Sequence, residues 1–171
     1  FIQTAWPLHR RPAELQGTPA SWPTVDVYIP TYNEPLSVVR TTVLASMVLD
    51  WPQDKVKVFI LDDGRREEFR AFAESMGVGY IVRPDNNHAK AGNLNEALKV
   101  TSGEFVAFFD ADHVPTRSFL QISIGWFLKD PAYCIPRHEL CAGFRTGAQF
   151  SGQSFPQLES VGRWLELCKR A

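Results

Sequence analysis

Apolar residues in this chain fall into short β-branched and aromatic runs that alternate with stretches of helical spacing. Val25 to Ile29 is the first run, and Pro30 ends it. Pro35 to Leu49 follows, with Leu36, Val39, Val43 and Met47 spaced for one helix face and Pro35 suited to the first turn. Val56 to Leu61 reads as a second buried strand. Glu67 to Met76 reads as a helix, with Phe69, Phe72, Ala73 and Met76 on one face and Gly77 as its stop. Val78 to Val82 makes a third strand. Asn93 to Val100 makes a third helix, with Asn93 as its N-cap and Leu94, Ala97 and Leu98 inward. Phe105 to Phe109 is a fourth strand and Thr116 to Leu128 a fourth helix. Four alternations of strand and helix predict an α/β fold, a parallel sheet with helices on both faces.

The flanks do not share this rhythm. Residues 1–24 are proline-rich, with Trp6-Pro7, Arg11-Pro12 and Trp22-Pro23, and read as an irregular lead-in. Residues 131–171 mix Gly143, Gly147 and Gly152 with scattered cysteines and charges, and show no period up to about residue 156. From Gln157 an amphipathic helix is expected, with Leu158, Val161, Trp164, Leu165 and Cys168 on one side.

The unusual polar residues gather after the carboxyl ends of the strands, where open parallel sheets bind ligands. Thr31-Tyr32-Asn33-Glu34 follows the first strand and Asp62-Asp63-Gly64 the second. The segment Arg83 to Asn93, with His88, Lys90 and Gly92, follows the third, and Asp110, Asp112 and His113 follow the fourth. Random polar turns would scatter over both edges, so the one-sidedness is a functional signal. Asp110 and Asp112, one residue apart at the rim, repel each other unless a cation or donors compensate. A hard divalent ion, Mg²⁺ or Mn²⁺, carrying a phosphorylated ligand supplies that compensation. Lys90, near a helix start, is placed to meet a diphosphate. Asp62 and Asp63 are placed to accept hydrogen bonds from a base or ribose, Tyr32 to pack on a base, and His113 to touch metal or phosphate. Taken singly, each is equally compatible with a solvated turn or a rim side chain.

Composition narrows the picture. At 171 residues the chain supports one domain with a sizeable core. A net charge of -1 gives no bulk field to gather nucleic acid, and no such partner is expected. No run reaches the roughly 18 apolar residues needed to cross a bilayer. The chain opens at Phe1-Ile2 without an initiating Met, so a piece of a longer protein is expected. Cys134, Cys141 and Cys168 all fall after residue 130, at a spacing that matches no common zinc or disulfide framework even with His138 between two of them. They read as free thiols in a reducing compartment.

Four segments in this order, Pro30-Thr-Tyr-Asn-Glu-Pro35, Leu61-Asp-Asp-Gly64, His88-Ala-Lys-Ala-Gly-Asn93 and Phe109-Asp-Ala-Asp-His-Val-Pro-Thr-Arg-Ser-Phe-Leu120, carry a resemblance. They resemble the bacterial cellulose synthase catalytic subunits, which are processive family 2 glycosyltransferases with a GT-A fold. The likeness runs from the start of the chain to Asp130. It implies a Rossmann-like GT-A domain, truncated, that takes glucose from UDP-glucose with Mg²⁺ (or Mn²⁺) to the 4-hydroxyl of a growing β-1,4-glucan. It implies that Thr31, Tyr32 and Glu34 lie in the uridine pocket, that an Asp of the Asp62-Asp63 pair faces the base, and that Lys90 holds the diphosphate. Asp110 and Asp112 would engage UDP and its metal, with His113 adjacent.

The resemblance also implies a bacterial inner-membrane enzyme with this segment on the cytoplasmic face, a glucan acceptor and a cellulose synthase accessory subunit. Trp6 near His9-Arg10-Arg11 would follow a transmembrane helix outside the chain as an interfacial anchor. Residues 1–24 are then the lead-in, 25–130 the donor-binding part, and 131–171 a divergent tail of frame-shifted or otherwise non-homologous origin. The family's Thr-Glu-Asp general-base motif is missing, as is its Gln-x-x-Arg-Trp motif, since Ser160 stands where Arg163-Trp164 would need a Gln. No catalytic residue is therefore assigned, and the expectation is donor binding without transfer. The alternatives are another processive UDP-sugar glycosyltransferase, a non-catalytic nucleotide-sugar-binding module, or a phosphohydrolase attacking through Asp110. The last fits poorly, because that class carries its Asp-x-Asp pair on the first strand.

Overall fold

The computed structural model describes residues 12–129 and 166–169. A short helical turn at Pro19–Ser21 leads into β1 (Val25–Thr31), α1 (Leu36–Met47), a second turn at Gln53–Lys55, and β2 (Val56–Asp62). Then come α2 (Glu67–Met76), β3 (Gly79–Ile81), α3 (Ala89–Val100), β4 (Phe105–Phe108), α4 (Phe119–Lys129) and β5 (Glu166–Lys169). The strands form one sheet in the order β3-β2-β1-β4-β5. The first four are mutually parallel, as the alternation predicts, and β5 runs antiparallel against β4.

Every residue of β1 is buried, which is what a central strand covered on both faces demands. Its pleat sorts the core. Val25, Val27 and Ile29 face one way, into a cluster with Val39 and Val43 of α1, Phe69 and Ala73 of α2, and Leu120 and Ile124 of α4. Tyr28 faces the other way, with Leu94, Ala97 and Leu98 of α3. From β1 the chain steps outward through α1 and α2, then returns past β1 to β4 through α3. Crossovers of one hand going in opposite directions must lie on opposite faces. The step direction reverses between β1 and β4, and that is where the carboxyl ends of the strands splay to leave a crevice.

Gly77 ends α2 at φ 68, its N–H returning to the carbonyls of Ala73 and Glu74, as the sequence pattern predicts. Elsewhere the boundaries move. Helix α3 begins at Ala89 rather than Asn93, so Asn93 is not a cap; its buried Nδ2 donates to the Leu61 carbonyl at 3.0 Å and ties α3 to β2. Pro35 precedes α1 as its N-cap, and α4 starts at Phe119, three residues later than the apolar spacing indicates. Residues 166–169 are a strand, not the end of an amphipathic helix. The edge of β4 otherwise presents unpaired backbone groups, and pairing Phe105 to Phe108 with Lys169 to Glu166 satisfies them. The remainder of the expected helix, and the cysteines at 134 and 141, lie outside the described residues. Among the described residues no helix is long and apolar enough to cross a membrane.

Candidate functional site

Four loops meet over the carboxyl ends of β1 and β4 around an open cavity of about 600 Å³. The loop after β1 supplies Thr31, Tyr32 and Glu34, and the end of β2 supplies Asp63. The β3–α3 segment supplies Asn86, Lys90 and Asn93, and the loop after β4 supplies Asp110 and Asp112. The one-sided clustering seen along the chain is thus a real convergence in space.

The first wall is built on Glu34. Its carboxylate accepts hydrogen bonds from the Thr31 hydroxyl at 2.9 Å and the Tyr32 N–H at 2.8 Å. Partial burial pushes the Glu34 carboxyl up, but the backbone and hydroxyl donors prevail and hold it below its ordinary range. Glu34 is therefore an anion that closes its own turn, and Tyr32 is left half exposed at the cavity rim. Arg66 braces this turn from behind, donating to the Glu34 carbonyl at 2.6 Å and the Thr31 hydroxyl at 3.0 Å.

The two neighbouring aspartates divide. Asp62 points away from the cavity and is completely buried. It accepts from the Gly64 and Arg66 N–H groups at 2.9 and 2.7 Å, from the Arg66 guanidinium at 2.9 Å, and from the Tyr80 hydroxyl at 3.0 Å. Asp63 lines the cavity and is gripped on its inner side by Arg83, with both contacts at 2.6 Å. Donating to the Asp63 carboxylate stabilises the Arg83 cation and outweighs the burial that opposes it, so the guanidinium loses its proton even less readily than usual. Neither arginine is a site residue by sequence pattern. Their only sequence signal is position, just after the Asp-Asp-Gly turn and just after the third strand.

Tyr80 gives this network a pH signature. Burial and then the hydrogen bond and charge of Asp62 push its phenol up to about 12. An unfolded tyrosine ionises near 10. The unfolded chain therefore releases this proton first, and folding stability falls as pH rises from about 10 to 12, with no such dependence below that window. Urea midpoints across pH 9 to 11 should fall more steeply for the wild type than for Tyr80→Phe. Equal slopes would mean the phenol is not held as described.

On the opposite wall Lys90 forms an ion pair with Asp110, with its ammonium 5.4 Å from the Phe108 ring centre. Asp112 is exposed and carries no ion pair among the described residues. The site therefore matches Lys90 to one carboxylate and Arg83 to another, and leaves Asp112 and Glu34 as excess negative charge. His113 does not line the cavity; its N–H closes a turn onto the Asp110 carbonyl at 2.9 Å, and its buried Nδ1 has no hydrogen-bond partner among the described residues. Among the described residues no cluster of three His, Cys, Asp or Glu side chains could hold a metal unaided. Two carboxylates on the wall of one open cavity suit a hard cation that takes its remaining oxygens from a ligand and water.

Residues 26–159 match the model of the family described as "Glycosyl transferase family 2". The chain belongs to glycosyltransferase family 2. Over 131 residues it is 66% identical to a "Cellulose synthase catalytic subunit [UDP-forming]" of Pseudomonas fluorescens (strain SBW25), covering 77% of this chain and 18% of that one. Over 158 residues it is 54% identical to a "Cellulose synthase 1 catalytic subunit [UDP-forming]" of Komagataeibacter xylinus, covering 85% of this chain and 21% of that one. The family 2 chain described here thus spans about a fifth of the length of these curated relatives.

Among solved structures, a similar one is the mannosyltransferase PcManGT from Pyrobaculum calidifontis, in complex with GDP-Man and Mn²⁺. Its TM-score is 0.58 at 26% identity, over 79% of this chain and 42% of that one. The expected α/β, GT-A fold and family 2 membership are both borne out.

Proposed function

We propose that this chain is the donor-binding part of a UDP-forming cellulose synthase, which in the whole protein moves glucose from UDP-glucose to a β-1,4-glucan. The observation that carries this reading is the convergence of Asp63, Lys90, Asp110 and Asp112 on one cavity at the sheet's switch point. Kinship to relatives of that name supports it. Tyr32 offers an exposed ring for the uracil face, and the free side of Asp63 accepts from the base edge. Glu34, held anionic by its own turn, shapes the ribose end without needing a partner from the ligand.

Lys90 leaves Asp110 and takes the diphosphate as the ligand enters between them. A diphosphate entering a cavity that already holds excess carboxylate needs a further cation. Asp110 and Asp112 would hold Mg²⁺ or Mn²⁺ there, and that ion supplies neutralisation of the charge on the departing diphosphate. In the whole protein the domain faces the cytoplasm at the bacterial inner membrane, near the glucan acceptor and an accessory subunit. The tryptophan and basic residues at 6–11 support that placement.

Calorimetry with UDP, with and without Mg²⁺, tests the reading on the wild type and on Asp112→Ala. The wild type should bind UDP more tightly with Mg²⁺. Asp112→Ala should lose about tenfold of that gain, the magnitude of one charged contact near 1.4 kcal/mol. A wild type whose UDP affinity ignores the metal would overturn the proposal.

A further inference from the structure

The Arg83 guanidinium does more than neutralise Asp63. Arg83 is 4% exposed. Its Nε and Nη2 take the two carboxylate oxygens of Asp63, while Nη1 donates to the Asn87 carbonyl at 2.5 Å and Nη2 to the Ala89 carbonyl at 2.8 Å. One rigid fork therefore joins the carboxylate under one end of the cavity to the backbone leading into Lys90. That backbone does not rest in its position by preference. His88 and Ala89 are consecutive non-glycine residues at φ 60 and φ 45, a conformation that side chains disfavour and that surrounding bonds must impose. His88 gives no side-chain cap to α3.

Two lighter ties run alongside. The Asn86 amide donates to the Asp63 carbonyl at 3.2 Å, and Arg65 bridges the Arg83 carbonyl and the Asn86 side chain at 3.0 and 2.9 Å. Gly92, one turn into α3, lies so close that a Cβ there would collide with the Asn87 carbonyl and the Arg83 guanidinium. Lysine cannot replace such a fork, because a point ammonium cannot serve a carboxylate and two separate carbonyls in one plane.

We infer that Arg83 is a positioning residue that couples the two ends of the donor site, so that a base engaging Asp63 fixes the strained backbone that presents Lys90 to the diphosphate. The inference rests on the proposed nucleotide reading for its ligands, but not for its mechanical part. Coupling of this kind is reciprocal: the diphosphate tightens the base end by the same factor.

Two measurements test it. The first needs no ligand: amide hydrogen exchange of residues 86–92 in the wild type, Asp63→Asn and Arg83→Lys. Both variants should speed exchange there at least tenfold while peptides from β1 and β4 stay protected. Unchanged exchange at 86–92 in Asp63→Asn would overturn the coupling, since Asp63 reaches the Asn87 and Ala89 carbonyls through Arg83. The second is the ratio of uridine to UDP dissociation constants, in Mg²⁺. Arg83→Lys should narrow that ratio about tenfold. Equal weakening of both ligands would make Arg83 a counter-ion for Asp63 and nothing more, against the proposal. Should Arg83→Lys lose core protection, Gly92→Ala disturbs the same joint from the helix side without burying an unpaired charge, and it must narrow the ratio in the same sense. A wild type that binds neither uridine nor UDP while exchange still shows the coupling would sink the nucleotide reading alone.

Discussion

Lys90→Met is expected to weaken UDP binding in Mg²⁺ by about 10- to 100-fold, while strengthening the binding of Mn²⁺ alone. The first effect follows from losing charged hydrogen bonds to the diphosphate, at about 1.5–3 kcal/mol each. The second follows from the resting arrangement. Without ligand Lys90 sits on Asp110, a carboxylate that a cation would need. An ammonium there opposes an incoming divalent ion, and removing it returns Asp110 to Asp112 as a free pair. Calorimetry for UDP and electron paramagnetic resonance for free Mn²⁺ read the two effects separately. Opposite signs in one variant distinguish a shared carboxylate from a general loss of structure, which would weaken both. A Lys90→Met chain that binds Mn²⁺ no better than the wild type would show that the ion pair does not guard the metal position.

Asp62→Ala is expected to lower folding stability by about 3 kcal/mol, the lower end of the range for breaking a buried ion pair. Asp62 is wholly buried and receives two backbone N–H groups, a guanidinium and a phenol. Alanine takes the Asp62 acceptor from all of them; the phenol keeps the Arg66 carbonyl and the guanidinium keeps Thr31 and Glu34, while the Gly64 and Arg66 N–H groups lose this acceptor at a desolvation cost. The lower end applies because the Arg66 side chain is 22% exposed and can turn part of its charge to water. Urea denaturation followed by circular dichroism measures the loss. A second effect travels through Arg66, which also fastens Thr31 and the Glu34 carbonyl. UDP affinity should fall in Asp62→Ala at urea concentrations where the variant is still fully folded. A variant of wild-type stability would mean that Arg66 and Tyr80 do not depend on Asp62.

These two residues show how the site was legible and where legibility stopped. Lys90 is readable as a cation of the cavity wall because charge and position along the chain are enough. Asp62 and Asp63 were readable only as a pair, because adjacent residues on a strand point to opposite sides and the parity of the pleat is set by pairing with β1. His113 follows the Asp-x-Asp segment in sequence, yet its N–H closes a turn onto the Asp110 carbonyl and it does not line the cavity. Arg66 and Arg83 are not singled out as site residues in sequence, since nothing local says which arginine will be enclosed.

By itself, the order of residues determined the alternation of four strands and helices, hence a parallel α/β sheet, and it placed the unusual polar residues after the strands. Those are consequences of local periodicity and chain direction, which need no knowledge of distant partners. Tertiary structure alone decided the reversal between β1 and β4 that opens the crevice, the antiparallel β5 on the edge of β4, and the start of α3 at Ala89. It also decided which aspartate faces the cavity and which arginine binds the carbonyls of the left-handed turn before Lys90. Most of these depend on contacts between segments distant along the chain, such as β4 with β5 or Arg83 with Asp63, and such partners are chosen only when the sheet is assembled.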